Sequence, residues 1–288
     1  MLHFPRPRSL PALGWSLAAG VVITLLGTRP AAAADGFSPH DGPIPDPITD
    51  LFYMRATYFQ ATVRTVLRID PTNQPSGGTE LSGENDLGLA KKNPLGSLEL
   101  MFRIHERNRV RVDYFQLNRS ATMPLAQTIV FGNEVFPAGS NLETTLNLRI
   151  MGFTYTRALI QTSRFELGAG LGVHLIDSDV IGNDPQLFER HETSVAGAWP
   201  TIALETMWRI SSRFAFTGRA NYFGTNHDGF SGSLGNYHGD FQYRWAPNFA
   251  LGLGYTYWRI GADSRTNGTP GRLTLAAQGP EAFVRVSF

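Results

Sequence analysis

The first chemistry the chain offers is a set of charged residues that recur inside otherwise apolar stretches: Glu99, Arg103, Glu166, Glu205, Arg209, Arg219, Asp240, Arg244 and Arg285. Each has an apolar or aromatic neighbour in the adjacent position, so in an extended chain the charge and its neighbour face opposite ways. If the charged faces look into a narrow interior, charges of both signs must pair, because an isolated charge there loses its hydration. Arginine's planar fork suits such pairing, and it also suits tuning the selectivity of a narrow solute channel.

Other residue groups point to other chemistry. His227-Asp228, with Asp177, Asp179, Glu189 and His191 around a neighbouring loop, could activate a water at an outer rim. Barrel proteases of about ten strands resemble this layout, but the spacing here matches no protease motif, and such residues are normal in exposed loops. No distinctive His, Ser and acid trio suggests a lipid-modifying enzyme. Asp177, Asp179 and Asp184 could offer oxygens to Ca²⁺, yet they lack the ligand spacing and closing Glu of an EF-hand. Asn267-Gly268-Thr269 has the form of a glycosylation acceptor and is read as chance. Zero cysteine excludes a disulfide framework, a thiolate metal site and a lipid-attachment cysteine. No catalytic, cofactor or metal residues are assigned, and no ligand is specified.

The elements that must hold the charges begin after an export signal. Arg6 and Arg8 precede an apolar run from Leu10 to Leu26, which Ala31 to Ala34 follow. That order predicts a signal peptide over 1–34. Residues 35–50, dense in Pro, Gly and Asp, predict a disordered periplasmic lead-in. Without Arg6, Arg8 and Arg29, the 25 basic residues fall to 22 against 24 acidic ones, a net charge near −2. With no long basic run, nucleic acid is excluded as a partner.

From 51 to 288 the chain reads as stretches of about ten alternating residues separated by turns. Phe249, Leu251, Leu253, Tyr255 and Tyr257 alternate with Ala250, Gly252, Gly254 and Thr256. Phe165 to Leu175 alternates with Glu166, Gly168, Gly170, Gly172 and His174. The small second face suits a crowded lumen better than the solvent face of a sandwich. Met54 to Thr65 shows no single apolar face, and near Ile150 and Met151 the apolar phase slips, which suggests a bulge. Short connections near 106–108, 161–163, 211–212 and 247–248 alternate with long ones near 71–94, 120–141, 178–193, 224–229 and 261–274. The expectation is an all-β, closed antiparallel transmembrane β-barrel of about ten strands, with eight or twelve as alternatives, short periplasmic turns and long extracellular loops.

Val284, Val286 and Phe288 fall on one face of a final strand that ends in an aromatic residue. Such an ending resembles the signal that outer-membrane proteins present to the barrel-assembly machinery, and the resemblance implies that partner. Further stretches carry a second resemblance: Gly78-Thr79-Glu80, Glu84-Asn85-Asp86-Leu87-Gly88-Leu89, Asp113-Tyr114-Phe115-Gln116-Leu117-Asn118-Arg119, Phe131-Gly132-Asn133-Glu134-Val135-Phe136-Pro137-Ala138-Gly139, and Phe165 to His174. They are similar to an uncharacterised family of proteobacterial outer-membrane β-barrel proteins, whose members more often have an unbroken acidic stretch around Gly83 and Asn85. The resemblance implies fold and location in the outer membrane of a Gram-negative cell, with lipid and lipopolysaccharide as surroundings. The functional expectation is a non-enzymatic surface, structural or binding protein with a filled, charge-paired lumen. A narrow porin-like channel and a rim hydrolase are the alternatives.

Overall fold

The computed structural model describes residues 50–72, 74, 76–184, 189–227, 229–265 and 270–288. The expected signal peptide and the lead-in up to residue 49 lie outside the described residues, as do Asp228 and Asn267-Gly268-Thr269. Every regular element among the described residues is a strand. The first half of the chain holds β1 (Phe52–Ile69), β2 (Leu81–Ser82), β3 (Lys92–His105), β4 (Asn108–Pro124), β5 (Ile129–Phe131), β6 (Glu134–Phe136) and β7 (Asn141–Gln161). The second half holds β8 (Phe165–Asp184), β9 (Glu189–Arg209), β10 (Phe214–His227), β11 (Phe230–Ala246), β12 (Phe249–Ser264) and β13 (Gly271–Ser287).

Ten long strands pair antiparallel with their neighbours, and β13 pairs back onto β1, closing the sheet. Closure satisfies backbone groups that an open edge would leave unpaired, which matters most where the surroundings cannot hydrogen-bond. The start of β1 and the end of β13 meet at one rim, called the terminal rim below: the amides of Leu51 and Phe52 donate to the carbonyl of Phe288. The turns at this rim are two to four residues long. At the other rim only the β1–β3 and β4–β7 connections are long, because β8 and β9 reach Asp184 and Glu189, β10 and β11 reach His227 and Phe230, and β12 and β13 reach Ser264 and Gly271. The long connections expected near 178–193, 224–229 and 261–274 are therefore largely strand.

The walls have two storeys with opposite rules. Near the terminal rim the oil faces out: Leu171 is 69% exposed and Leu253 68%, while Glu166, Glu205 and Asp240 behind the wall are buried. Near the loop rim the oil faces in. Phe59, Val63 and Leu67 of β1, Leu142, Leu146, Leu148 and Ile150 of β7, and Trp258 and Ile260 of β12 are all buried, whereas Arg64 and Arg259 are exposed. A strand surrounded by lipid turns its apolar face outward, and one surrounded by water turns it inward. Strands of 14 to 21 residues can do both, since about ten suffice to cross the hydrocarbon.

This inversion corrects the expectation of a bulge near Ile150 and Met151. Registers of β7 with β4 and β8 run unbroken through that point. The apolar phase changes because Ile150 is the last inward residue of the upper storey and Met151 lies at the start of the outward face of the lower one. The same change of storey explains why Met54 to Thr65 has no single apolar face. The actual register shifts lie beside short turns, at Arg103/His105, Ala158/Ile160 and Arg244/Ala246.

Two of the loops expected to project outward, near 71–94 and 120–141, instead help fill the upper storey. β2 continues the line of β3 along β1, and residues 83–91 between them leave the wall. Leu81, Leu87 and Leu89 join Ile129, Phe131 and Phe136 of the β5–β6 hairpin in one apolar cluster with the upper walls. Arg119 of β4 holds the excursion: its guanidinium donates to Thr65 Oγ1, Glu84 Oε1 and the Ala90 carbonyl, each at 2.7 Å. Glu84 Oε2 in turn accepts the Thr65 amide at 2.9 Å. Two stretches that carry the family resemblance, around Glu84 and ending at Arg119, are thus joined by one ion pair.

Candidate functional site

The lower storey places an ion-pair network across the lumen, built in layers from the terminal rim upward. At the floor, Asp50 accepts Arg244 Nη2 at 2.6 Å and also pairs with Arg285. The last residue of the expected disordered lead-in is therefore buried and held. Arg285 also stacks on the Tyr53 ring at 3.8 Å and donates to Gln242 at 3.2 Å.

Above the floor, Arg109 donates to Glu166 at 2.7 Å and lies 3.6 Å from Glu205, which Arg111 approaches to 3.2 Å. Arg103 sits 3.8 Å from Glu166 and donates to the Asp50 carbonyl. Glu99 pairs with Arg219 and accepts the Tyr53 hydroxyl at 2.5 Å. Arg209 is on the same inner face, two residues beyond Met207 and half buried. The charged residues singled out from the sequence therefore all face the lumen.

The centre holds residues the sequence reading did not select. Arg55 donates to Asp240 at 2.9 Å and to Glu281 at 2.6 Å, and it lies over the Phe283 ring at 3.5 Å. His238 Nε2 approaches Asp240 at 2.9 Å and Glu281 at 3.1 Å, while its Nδ1 meets Thr256 at 2.7 Å. His238, Asp240 and Glu281 have the donor set of a divalent-metal site, but Arg55 already stands among them as the cation. Arg55 was hidden by the mixed pattern of β1. Glu281 was legible, since it opposes the face of Ala282, Val284, Val286 and Phe288.

Small residues make room for this centre. A Cβ added at Gly252 would overlap the Phe283 ring, on which Arg55 rests, and would press to 2.7 Å from the Phe241 carbonyl oxygen. Gly252→Val is expected to displace that ring and destabilise the barrel by about 1–3 kcal/mol through overpacking. The check is the temperature at which the compact gel band of unboiled protein is lost; Gly252→Val with Phe283→Leu should recover only the part of the difference due to the ring, since the contact with the Phe241 carbonyl remains.

Over the network lies a cavity of about 60 Å³, walled by Arg55, Arg219, Asn221 and His238 and roofed by Phe59, Phe115 and Trp258. It has room for a few waters. Asn221 Oδ1 is buried with no protein partner, as a water-filled space allows. Phe115 and Trp258 stack at 5.4 Å, and above them the apolar filling of the upper storey begins.

Among the described residues, the acidic rim candidates of β8 do not converge. Asp177 and Asp179 are on the outer face of β8, where both pair with Arg149 at 2.9 and 3.3 Å. Asp184 is buried on the opposite face, so the three aspartates do not form the Ca²⁺ cluster weighed from sequence. His227 is exposed at the end of β10; its neighbour Asp228 and the side chains of Glu189 and His191 lie outside the described residues. Val284 and Phe288 face outward, with Phe288 stacked on Phe52 at 5.9 Å at the terminal rim.

A closed ten-stranded antiparallel wall, apolar outside and charged inside over its lower storey, is the transmembrane β-barrel fold of outer-membrane proteins. One solved structure with a TM-score above 0.5 agrees on this. The chain is similar to the outer membrane protease OmpT from Escherichia coli at 10% identity and a TM-score of 0.52, over 87% of this chain and 100% of that one. It also matches Neisserial surface protein A at 16% identity and a TM-score of 0.32, over 82% and 97% of the two chains. A Pseudomonas aeruginosa FadL homologue matches at 10% identity and a TM-score of 0.37, over 87% and 93%. No family model and no curated protein matches the chain. At 10% identity the likeness to the protease structure speaks for fold alone.

Proposed function

We propose that the chain is an exported, non-enzymatic outer-membrane barrel that acts as a closed surface scaffold rather than a conduit. Its loop rim faces outward, and Val284, Val286 and Phe288 present the terminal strand to the barrel-assembly machinery. The single observation that carries this reading is the lumen: an ion-pair network spans the lower storey and an apolar cluster that includes two loop segments fills the upper one. A solute would have to break several buried ion pairs and then cross oil.

Planar-bilayer recording of refolded protein tests it. The expected result is an absence of stepwise conductance. Reproducible single-channel steps that vanish on altering Arg219 or Glu205 would replace the scaffold with the narrow channel.

A further inference from the structure

We infer that the outer wall formed by β12, β13, β1 and β3 carries a binding site for the phosphate groups of lipopolysaccharide. The inference rests on the outer-membrane placement proposed above and names one partner of that wall.

Strand register defines the site. On β1 the outward residues climb from Phe52 through Tyr58 to Thr62, then Arg64. Phe52 to Thr62 is about ten residues, which at roughly 3.3 Å each and a tilt near 40° rise roughly 25 Å, the height of a barrel's apolar band. Arg64 is therefore the first outward residue above the band, level with the headgroups of the outer leaflet. Register places Arg64 opposite Ala276, and Ala276 opposite Arg259. The two arginines thus flank a small side chain across two strand spacings, about 10 Å apart. On the other side of β1, Lys92 is opposite Thr62, diagonal to Arg64, and Lys91 precedes it.

All four cations are exposed. None has a side-chain partner among the described residues, in contrast to Arg68, paired with Asp70, and Arg272, paired with Asp263 and Glu80. Clustered like charges without counter-charges repel one another, and an anion relieves that repulsion. On another wall the same height carries acids: Asp177 and Asp179 surround Arg149 just above Leu175 on β7 and β8. The belt's upper margin is basic on one wall and acid-rich on another, and the basic wall complements a phosphorylated glycolipid.

The test uses purified, refolded full chain in neutral detergent, with rough-type lipopolysaccharide, its dephosphorylated form and phosphatidylglycerol vesicles as probes. Binding of lipopolysaccharide should weaken with salt, and Arg64→Gln/Arg259→Gln/Lys92→Gln should lower affinity roughly tenfold or more. Arg149→Gln, on the acidic wall, should leave it unchanged. Dephosphorylated lipopolysaccharide should bind the parent protein no better than intact lipopolysaccharide binds the triple variant. Equal binding by the triple variant, by the dephosphorylated form, or by phosphatidylglycerol overturns the assignment. Slower gel migration on boiling, retained in all variants, shows that the barrel is intact; its absence in the parent protein would count against the membrane placement instead.

Discussion

Arg55→Leu is expected to destabilise the barrel by roughly 3–5 kcal/mol, because it leaves two carboxylates buried without their cation. Asp240 and Glu281 each pair with Arg55 and are only 1% and 5% exposed. His238, third member of the cluster, then loses the guanidinium that faces it. The measurement is the temperature at which the fast-migrating band of unboiled protein converts to the slow one. A compensated variant separates lost charge balance from lost packing: Arg55→Leu with Asp240→Asn and Glu281→Gln should regain a large part of the loss. Unchanged melting of Arg55→Leu would show that the central cluster is hydrated enough to do without its cation.

Arg119→Ala should free residues 83–91 from the wall while the ten-stranded barrel persists. The side chain makes three hydrogen bonds to β1 and the excursion, and its loss strands Glu84 against Thr65. Lys91 and Lys92 are the only lysines in the chain, so a lysine-specific protease reports on this segment alone. If the anchor is worth about 3 kcal/mol, cleavage through local opening should accelerate roughly a hundredfold or more. Cleavage at the parent rate, with heat-dependent migration intact, would mean that Leu87 and Leu89 hold the excursion by packing and that the ion pair adds nothing.

The lower storey was legible in the sequence and the upper one was not, for a physical reason. Below, one face meets lipid and the other a charged lumen, so Phe249 to Tyr257 and Phe165 to Leu175 alternate cleanly. Above, both faces mix: Leu142, Leu146 and Leu148 turn inward beside exposed residues of either charge or none, and the pattern resembles that of a soluble sheet. Where a strand crosses between storeys, periodicity averages to nothing, which is how Arg55 escaped notice. The charges from Glu99 to Arg285 were found because each stands in a clean stretch. Their partners Arg109 and Arg111 sit two positions apart beside Val110 and Val112 and could have been found by the same rule. No local pattern shows that Glu84 meets Arg119 or that Asp50 reaches into the floor, since those contacts depend on how the chain returns on itself.

The change of storey has a consequence for how such a chain can vary. On β7, polar replacement is costly inward at Ile150 and outward at Phe153, three positions along the same strand. One strand thus answers to two solvents, and the residue at which tolerance switches sides marks the depth at which water gives way to hydrocarbon. Evolution has in effect drawn the waterline onto the polypeptide itself.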